Sequence, residues 1–335
     1  MNSEQRSHIT RILKAEAVNL GFSACGVAPA ESVKNEIFNF YKMWIAKGDH
    51  ASMHYLENNI DKRLLPDLMA KGTKSIISVA LNYFPDKKIP EGQLQFSWYA
   101  YGKDYHEIIK DKLRILLQKL QETFPEVKIE GRPLCDTAPI LERYWAWRSG
   151  LGWIGKNTLL ILPNRGSTFF IGELLLNIEL EYDKPQKNKC GNCTACIQAC
   201  PTKALEAPYL LNANKCLSYL TIENKENIPE WAQEKMGDCI YGCDRCQKAC
   251  PWNRFCVPTK IENFQPSNDF LTMTKEAWTN LTLEQYQKLF KGSSVKRAKY
   301  KGLMRNIYAV INSSPQPKDC EQQLKNAEDI FPTDL

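Results

Sequence analysis

Cys190-Gly-Asn-Cys193-Thr-Ala-Cys196-Ile-Gln-Ala-Cys200-Pro201 is the stretch around which the rest of the chain can be organised. Cysteines at i, i+3 and i+6, then a fourth followed by proline, reproduce the C-x2-C-x2-C-x3-C-P run of bacterial ferredoxins. In that arrangement a tight loop turns three thiolates to three corners of a cubane cluster and sends the fourth towards a second one. A partner run is therefore expected, and Cys243-Asp-Arg-Cys246-Gln-Lys-Ala-Cys250-Pro251 supplies it. Together the two runs predict two [4Fe–4S] clusters. The second run is one thiol short, because Ile240 stands three residues before Cys243. Cys239, one position away, or Cys216, far upstream, could complete it, and spacing leaves both open. Cys25, Cys135, Cys256 and Cys320 have no metal-like neighbours in the sequence and read as buried apolar thiols.

Composition sets the surroundings of this module. A chain of 335 residues has room for roughly two domains. Its 43% hydrophobic and 24% charged residues exclude a collagen-like or disordered class. No apolar run approaches the roughly 18 residues of a membrane span. The opening Met1-Asn-Ser-Glu-Gln-Arg-Ser-His-Ile-Thr-Arg-Ile-Leu-Lys14 has neither an apolar signal core nor a twin-arginine pair, which predicts a cytoplasmic protein without a membrane partner. Ten of the thirteen cysteines fall between 190 and 256, and in an unexported chain such clustering favours metal over disulfides. The net charge of +6 is modest, but Lys291, Lys296, Arg297, Lys299, Lys301 and Arg305 follow one another with no acid between them. Such a stripe is the electrostatic footprint of a phosphate-bearing partner, with a solvated helix face as the alternative. The segment after Lys318 turns mixed to acidic.

Hydrophobic periodicity predicts helices over 3–20, ended by Gly21, and over 31–47, ended by Gly48. A short strand follows Phe22, and Lys74-Ser-Ile-Ile-Ser-Val-Ala-Leu-Asn-Tyr83 reads as a strand buried on both faces. Asp104 is a candidate N-cap for a helix running to Phe124, where Pro125 stops it. A strand over 127–134 delivers Cys135-Asp136-Thr-Ala-Pro139, and a helix over 139–149 follows. Strands over 158–162 and 168–180 are joined by the turn Pro163-Asn-Arg-Gly166. This mixture predicts an α+β fold. The parts are an α/β sandwich over 1–183, a two-cluster module over 184–258 and a short helical segment with the basic stripe over 259–335.

Other motifs narrow the chemistry. Gly150-Leu-Gly152-Trp-Ile-Gly155 fits G-x-G-x-x-G but follows a predicted helix, whereas a dinucleotide fingerprint follows a strand. It is better read as a loop whose backbone can approach a large ligand. The histidines are His8, His50, His54 and His106, with no H-E-x-x-H to suggest a zinc hydrolase. Asp104-Tyr-His106-Glu-Ile-Ile109 lacks the glycine of D-x-H-x-x-G, so any corrinoid would bind without that axial histidine. Asp136 ends a predicted strand, where working side chains often sit. Beside a bulky cofactor its pKa would rise by desolvation, making it an acid near neutrality. Alternatively, it caps the helix at Pro139.

Several stretches together resemble the epoxyqueuosine reductases. They are Cys135-Asp-Thr-Ala-Pro-Ile-Leu-Glu-Arg143, Gly150-Leu-Gly-Trp-Ile-Gly-Lys-Asn157, the first cysteine run, Ser218-Tyr-Leu-Thr-Ile-Glu223 and Ile240-Tyr-Gly-Cys-Asp-Arg-Cys-Gln247. Cys250-Pro-Trp-Asn253, Tyr99-Ala-Tyr-Gly-Lys-Asp-Tyr-His106 and Lys299-Tyr-Lys-Gly-Leu-Met-Arg-Asn306 extend the likeness over nearly the whole chain. The resemblance implies a nitroreductase-like cobalamin domain and two clusters that recharge Co(I). The implied reaction reduces the epoxide of epoxyqueuosine at the wobble position of tRNA. It implies Cys190, Cys193, Cys196 and Cys250 for the first cluster, and Cys200, Cys216, Cys243 and Cys246 for the second, with Cys239 as a spare thiol. Asp136 matches the proton donor. Arg63, Tyr99, Lys156, Asn157, Ser218, Thr221 and Tyr241 match the cobalamin surroundings. Many members carry a longer C-terminal helical-repeat segment, which shifts weight in this chain to the stripe Lys291 to Arg305 for contacts with tRNA phosphates. A monomer served by an external low-potential electron donor is the expected assembly. A corrinoid reductive dehalogenase and an electron-transfer ferredoxin fusion are the competing readings; the missing export signal opposes the first, and the 180 residues before the clusters oppose the second.

Overall fold

The structure is a computed structural model that describes residues 1–313, so Cys320 and the mixed-to-acidic segment after Lys318 lie outside the described residues. Its N-terminal part is built on one antiparallel sheet. The strands are β1 (Ala24–Pro29), β2 (Ser75–Asn82), β3 (Gly131–Leu134) and β4 (Phe169–Leu176), in the spatial order β1-β2-β4-β3. Helices cover both faces, which is why β2 is a continuous apolar run and not an alternating one. Ile77, Val79 and Leu81 face the helices Ser3–Asn19 and Tyr105–Thr123, packing with Ile9, Leu13 and Ala17 of the first and Ile109, Leu113, Leu116 and Leu120 of the second. Those three-to-four-residue spacings give each helix one apolar stripe. On the opposite face Ile76 and Leu175 pack with Phe38, Tyr144 and Trp145.

Local chemistry fixes the ends of these elements. Asn2 and Gln5 form a capping box on the first helix, and Gly21 follows its end at φ +88°. Asp104 caps the Tyr105–Thr123 helix as expected, accepting a hydrogen bond from His106 N at 3.1 Å. The helix expected over 139–149 is shorter, Glu142–Arg148, because 135–141 folds into tight turns closed by Thr137 N to Cys135 O (2.6 Å) and Ile140 N to Ala138 O (2.8 Å). No side chain caps its N-terminus, so Asp136 is not a cap and its carboxylate is left for other partners.

The cluster-bearing and C-terminal segments share a core with part of the N-terminal chain. Gln95–Phe96 pairs in parallel with Cys239–Tyr241. Phe96 stacks on Tyr241 (5.8 Å between ring centroids) and packs against Trp278 (5.1 Å). One hydrophobic cluster therefore joins Leu94, Leu217, Ile240, Phe270 and Leu303. Pairings this short carry no periodic signal, so this shared packing is not legible in the sequence. Among the described residues no helix is long and apolar enough to cross a membrane.

Candidate active site and cluster centres

Cys190, Cys193, Cys196 and Cys250 line one cavity of about 60 Å³ together with Lys156, Asn157, Ile161, Lys189, Pro251 and Trp252. Gly191 takes φ +48°, letting the loop curl so that its three cysteines face inward. Lys156 clamps that loop, donating from Nζ to Gly191 O (2.6 Å) and Cys193 O (2.9 Å). Trp153 and Trp252 meet edge-to-face at 4.9 Å, with Lys189 Nζ 5.9 Å from each ring centre.

Cys200, Cys216, Cys243 and Cys246 form a second group. Burial pushes the Cys216 thiol up to about 11, with the charges of Cys243 and Cys200 adding to it. The Cys246 thiol is raised by burial and by Cys243, Cys216 and Cys200. Four thiolates this close repel one another unless positive charge lies among them, as iron would provide, so the donor set suits a cluster. Cys239 lies to one side, its thiol donating to Gly242 O at 2.7 Å and facing Cys243. Of the thiols read as apolar, Cys135 is buried, whereas Cys25 and Cys256 are partly exposed; Cys256 sulfur accepts from the Thr168 hydroxyl at 3.3 Å.

Asp136 stands at the end of β3 with φ +55°, a left-handed conformation that aspartate tolerates better than most residues. Its side chain remains 55% accessible. Oδ2 accepts from the Tyr105 hydroxyl at 2.6 Å and from His106 Nε2 at 3.1 Å, and the backbone N–H of Asp136 donates to Glu142 Oε1. The other ring nitrogen of His106 is bonded to Asp104 Oδ1. Tyr105 is held in place by stacking on Phe170 at 4.0 Å and on the His106 ring at 4.2 Å.

These contacts set the charges. The His106 hydrogen bond outweighs burial, and Tyr105 adds to it, so Asp136 sits below the usual carboxylate range. Burial alone would lower His106, but its two carboxylate partners prevail and raise it to about 9. The elevated acid is instead Glu142, pushed up to about 8 by burial and by the neighbouring Asp136 charge. Behind it, Glu173 on β4 is fully buried with neither carboxyl oxygen hydrogen-bonded among the described residues, and its pKa is raised well above the carboxylate range by desolvation. The site thus favours charge on His106 and Asp136, while burial disfavours it on Glu142 and Glu173. Tyr105 and His106 carry no site signal in the sequence, where Asp104–His106 reads as a helix start; the fold brings both to Asp136.

The other expected residues divide by what their polar atoms do. Arg63 is 7% exposed, donates to Tyr55 O at 3.1 Å, and keeps a buried Nε with no partner among the described residues. Tyr99 donates to the Tyr241 hydroxyl at 3.4 Å, and Tyr241 to Ser294 O at 2.8 Å. Ser218 is partly exposed on the helix Leu217–Ile222. Thr221 is fully buried between Leu217 O and Gly242 N, and Asn157 donates to Cys246 O. Lys156, Asn157 and Thr221 therefore brace backbone in and around the cluster module. Tyr55, unnoticed in the sequence, is 48% exposed, lies under Arg297 at 5.7 Å and is within electrostatic reach of Asp136, Glu223 and Arg63.

The basic stripe is not uniform. Lys291, Lys296, Lys299 and Lys301 are exposed, and Arg297 is paired with Glu223. Arg305 turns inward instead, donating to the carbonyls of Asn224 (2.7 Å), Glu226 (2.6 Å) and Leu220 (2.9 Å), so it holds backbone and is not a free phosphate contact. Elsewhere, His50 Nε2 and His54 Nδ1 both bond Glu57 Oε1 at 2.7 Å. The buried His50 Nδ1 has no partner among the described residues to orient the ring as a metal ligand, so the trio reads as a hydrogen-bonded latch on its loop.

Comparison with known proteins agrees with this geometry. Residues 189–253 match a family described as a 4Fe-4S double cluster binding domain, and residues 63–137 match one described as epoxyqueuosine reductase QueG. An epoxyqueuosine reductase of Cellulophaga algicola is 45% identical over 307 residues, covering 92% of this chain and 99% of that one. The Escherichia coli K12 enzyme is 35% identical over 318 residues, covering 92% and 82%. Among solved structures, a selenomethionine-labelled epoxyqueuosine reductase superposes with a TM-score of 0.85 at 28% identity, covering 93% of this chain and 82% of that one. One with an epoxyqueuosine-modified tRNA-Tyr stem loop gives 0.82 at 27%, with the same coverage. The Streptococcus thermophilus structure gives 0.82 at 25%, covering 98% and 96%.

Proposed function

This chain belongs to the epoxyqueuosine reductase family, and from that premise we propose that it reduces the epoxide of epoxyqueuosine at the wobble position of tRNA to the alkene of queuosine. The observation that carries the reading is the 45% identity spread over 92% of this chain and 99% of a curated epoxyqueuosine reductase. Removing the epoxide oxygen as water takes two electrons and two protons, so the protein has to deliver both.

Two [4Fe–4S] clusters would be held by Cys190, Cys193, Cys196 and Cys250, and by Cys200, Cys216, Cys243 and Cys246, and would pass on single electrons from an external low-potential donor. The convergence of each thiol set supports this assignment. A cobalamin, when bound, would supply strongly reducing cobalt beside the epoxide. Arg63 fits a large polar ligand through its unsatisfied buried Nε, and Tyr99, Ser218 and Tyr241 would complete the surroundings. Lys156, Asn157 and Thr221 would act there through the loops they brace. Asp136 would place its carboxyl at the epoxide oxygen and donate the proton that lets the C–O bond break.

In this scheme residues 1–183 carry the cobalamin and Asp136, residues 184–258 the clusters, and residues 259–335 contacts to tRNA phosphates through Lys291, Lys296, Lys299 and Lys301. The protein would work in the cytoplasm as a monomer. The test uses anaerobically purified protein, which should contain about eight irons, as two such clusters require, and one cobalamin. Given a low-potential reductant and a stem loop carrying epoxyqueuosine, the nucleoside should lose one oxygen by mass. Fully loaded protein that leaves the nucleoside unchanged would overturn the reading.

A further inference from the structure

We propose that His106, clamped by Asp104, is the proton store that loads Asp136 for the reaction, acting through Asp136 and not on the substrate itself. The inference rests on the reductase reading above and extends it. It starts from a shortfall: epoxide removal consumes two protons per turnover, whereas Asp136 can carry one, and in the resting site that carboxyl is ionised. His106 Nε2 reaches Oδ2 of that carboxyl at 3.1 Å. A proton moving from Nε2 to Oδ2 gives the carboxylic acid that the epoxide oxygen needs. The imidazole left behind is recharged from water, since the His106 side chain is 23% accessible.

The clamp gives the store its direction. His106 Nδ1 is bonded to Asp104 Oδ1, and the same Oδ1 accepts the His106 backbone N–H as helix cap. One carboxylate thus caps the helix, orients the ring and favours the imidazolium. Tyr105 stacks on that ring and shares Oδ2, but a phenol raised well above its ordinary pKa by burial donates a hydrogen bond and not a proton at neutrality. The other titratable and charged groups facing the pair are Glu142, on the Asp136 backbone, and Glu173, Tyr55, Tyr99, Arg143 and Arg297, within electrostatic reach of Asp136. Glu142 is the rival store.

The experiment follows single-turnover conversion of an epoxyqueuosine stem loop against pH, using protein with full iron and cobalamin content. In the parent the rate should fall as pH rises through about 9, where His106 loses its proton. His106→Gln should lower the rate about 100-fold at pH 7, with the KM for the stem loop unchanged and this alkaline limb gone. Asp104→Asn should move the limb to lower pH, and added imidazole should partly restore His106→Ala. With four histidines in the chain, ¹⁵N imidazole spectra of cobalamin-free protein can assign the His106 titration directly. An alkaline limb retained in His106→Gln, or lost in Glu142→Gln instead, overturns the proposal. A parent that converts nothing under these conditions overturns the reductase reading first, which separates the two failures.

Discussion

Arg297 grips Glu223 with two hydrogen bonds, Nε to Oε1 at 2.8 Å and Nη2 to Oε2 at 2.9 Å, while standing 5.7 Å over the Tyr55 ring. The pair ties the basic segment to the end of the helix Leu217–Ile222 and leaves Arg297 within electrostatic reach of Asp136. It also divides the cations of that segment into those that hold the fold and those left for a polyanion.

That division predicts two different phenotypes. Replacing Lys296, Lys299 and Lys301 by glutamate should weaken stem-loop binding and flatten its salt dependence by roughly one unit of slope per lost phosphate contact, without changing stability. Arg305→Ala should instead destabilise the protein by about 3 kcal/mol, because three carbonyls lose a charged donor. Fluorescence anisotropy across a salt series and thermal melts separate the outcomes. Unchanged binding in the triple lysine variant removes the stripe from tRNA recognition.

Cys216 and Cys239 compete for the fourth place at the second cluster, Cys239 facing Cys243 and Cys216 within electrostatic reach of Cys243 and Cys200; the proposed set takes Cys216. Cys216→Ser should lower the iron content by about half, one cluster in two, whereas Cys239→Ser should retain it. Iron analysis with low-temperature EPR of the reduced protein gives the answer. Equal loss in both variants would mean that Cys239 supports the cluster as well.

Asp136→Asn keeps the shape of the side chain and removes its proton. Conversion should fall by at least about 100-fold while stem-loop affinity stays within a factor of about two, the signature of a group that acts in the transition state. A comparable loss of affinity would recast Asp136 as a binding residue.

Glu142 links stability to pH. Its folded pKa of about 8 lies above that of an unfolded glutamate, about 4.3. The folded state therefore holds a proton that the unfolded state has released, so this stabilisation is complete below pH 4.3 and disappears as pH rises through 8. Glu142→Gln removes that loss, and its melting temperature relative to the parent should climb across this window. Glu173 acts in the same direction, so part of the slope should persist. Parallel melting curves would show that Glu142 is ionised in the fold.

The cysteine runs were legible because their geometry is local: ligands three residues apart on a loop meet wherever the loop sits. The two-sided burial of β2 and the Asp104 cap were legible for the same reason, as near-neighbour patterns. The ending of Lys291 to Arg305 was not, since a lysine and an arginine count alike in a charge run while Arg305 is turned inward by carbonyls about 80 residues away in sequence. The active-site charges were equally hidden.

Sequence alone determined which atoms are present at this site: seven thiols at cluster spacing, and an aspartate where a strand ends. The tertiary structure decided their state. The Asp136 pKa is lowered because helix capping by Asp104 brings His106 to its carboxyl, and those of Glu142 and Glu173 are raised because the sheet and its covering helices close water away from them. Protonation follows from solvation and from charges within a few ångströms, and those distances exist only once the chain has folded.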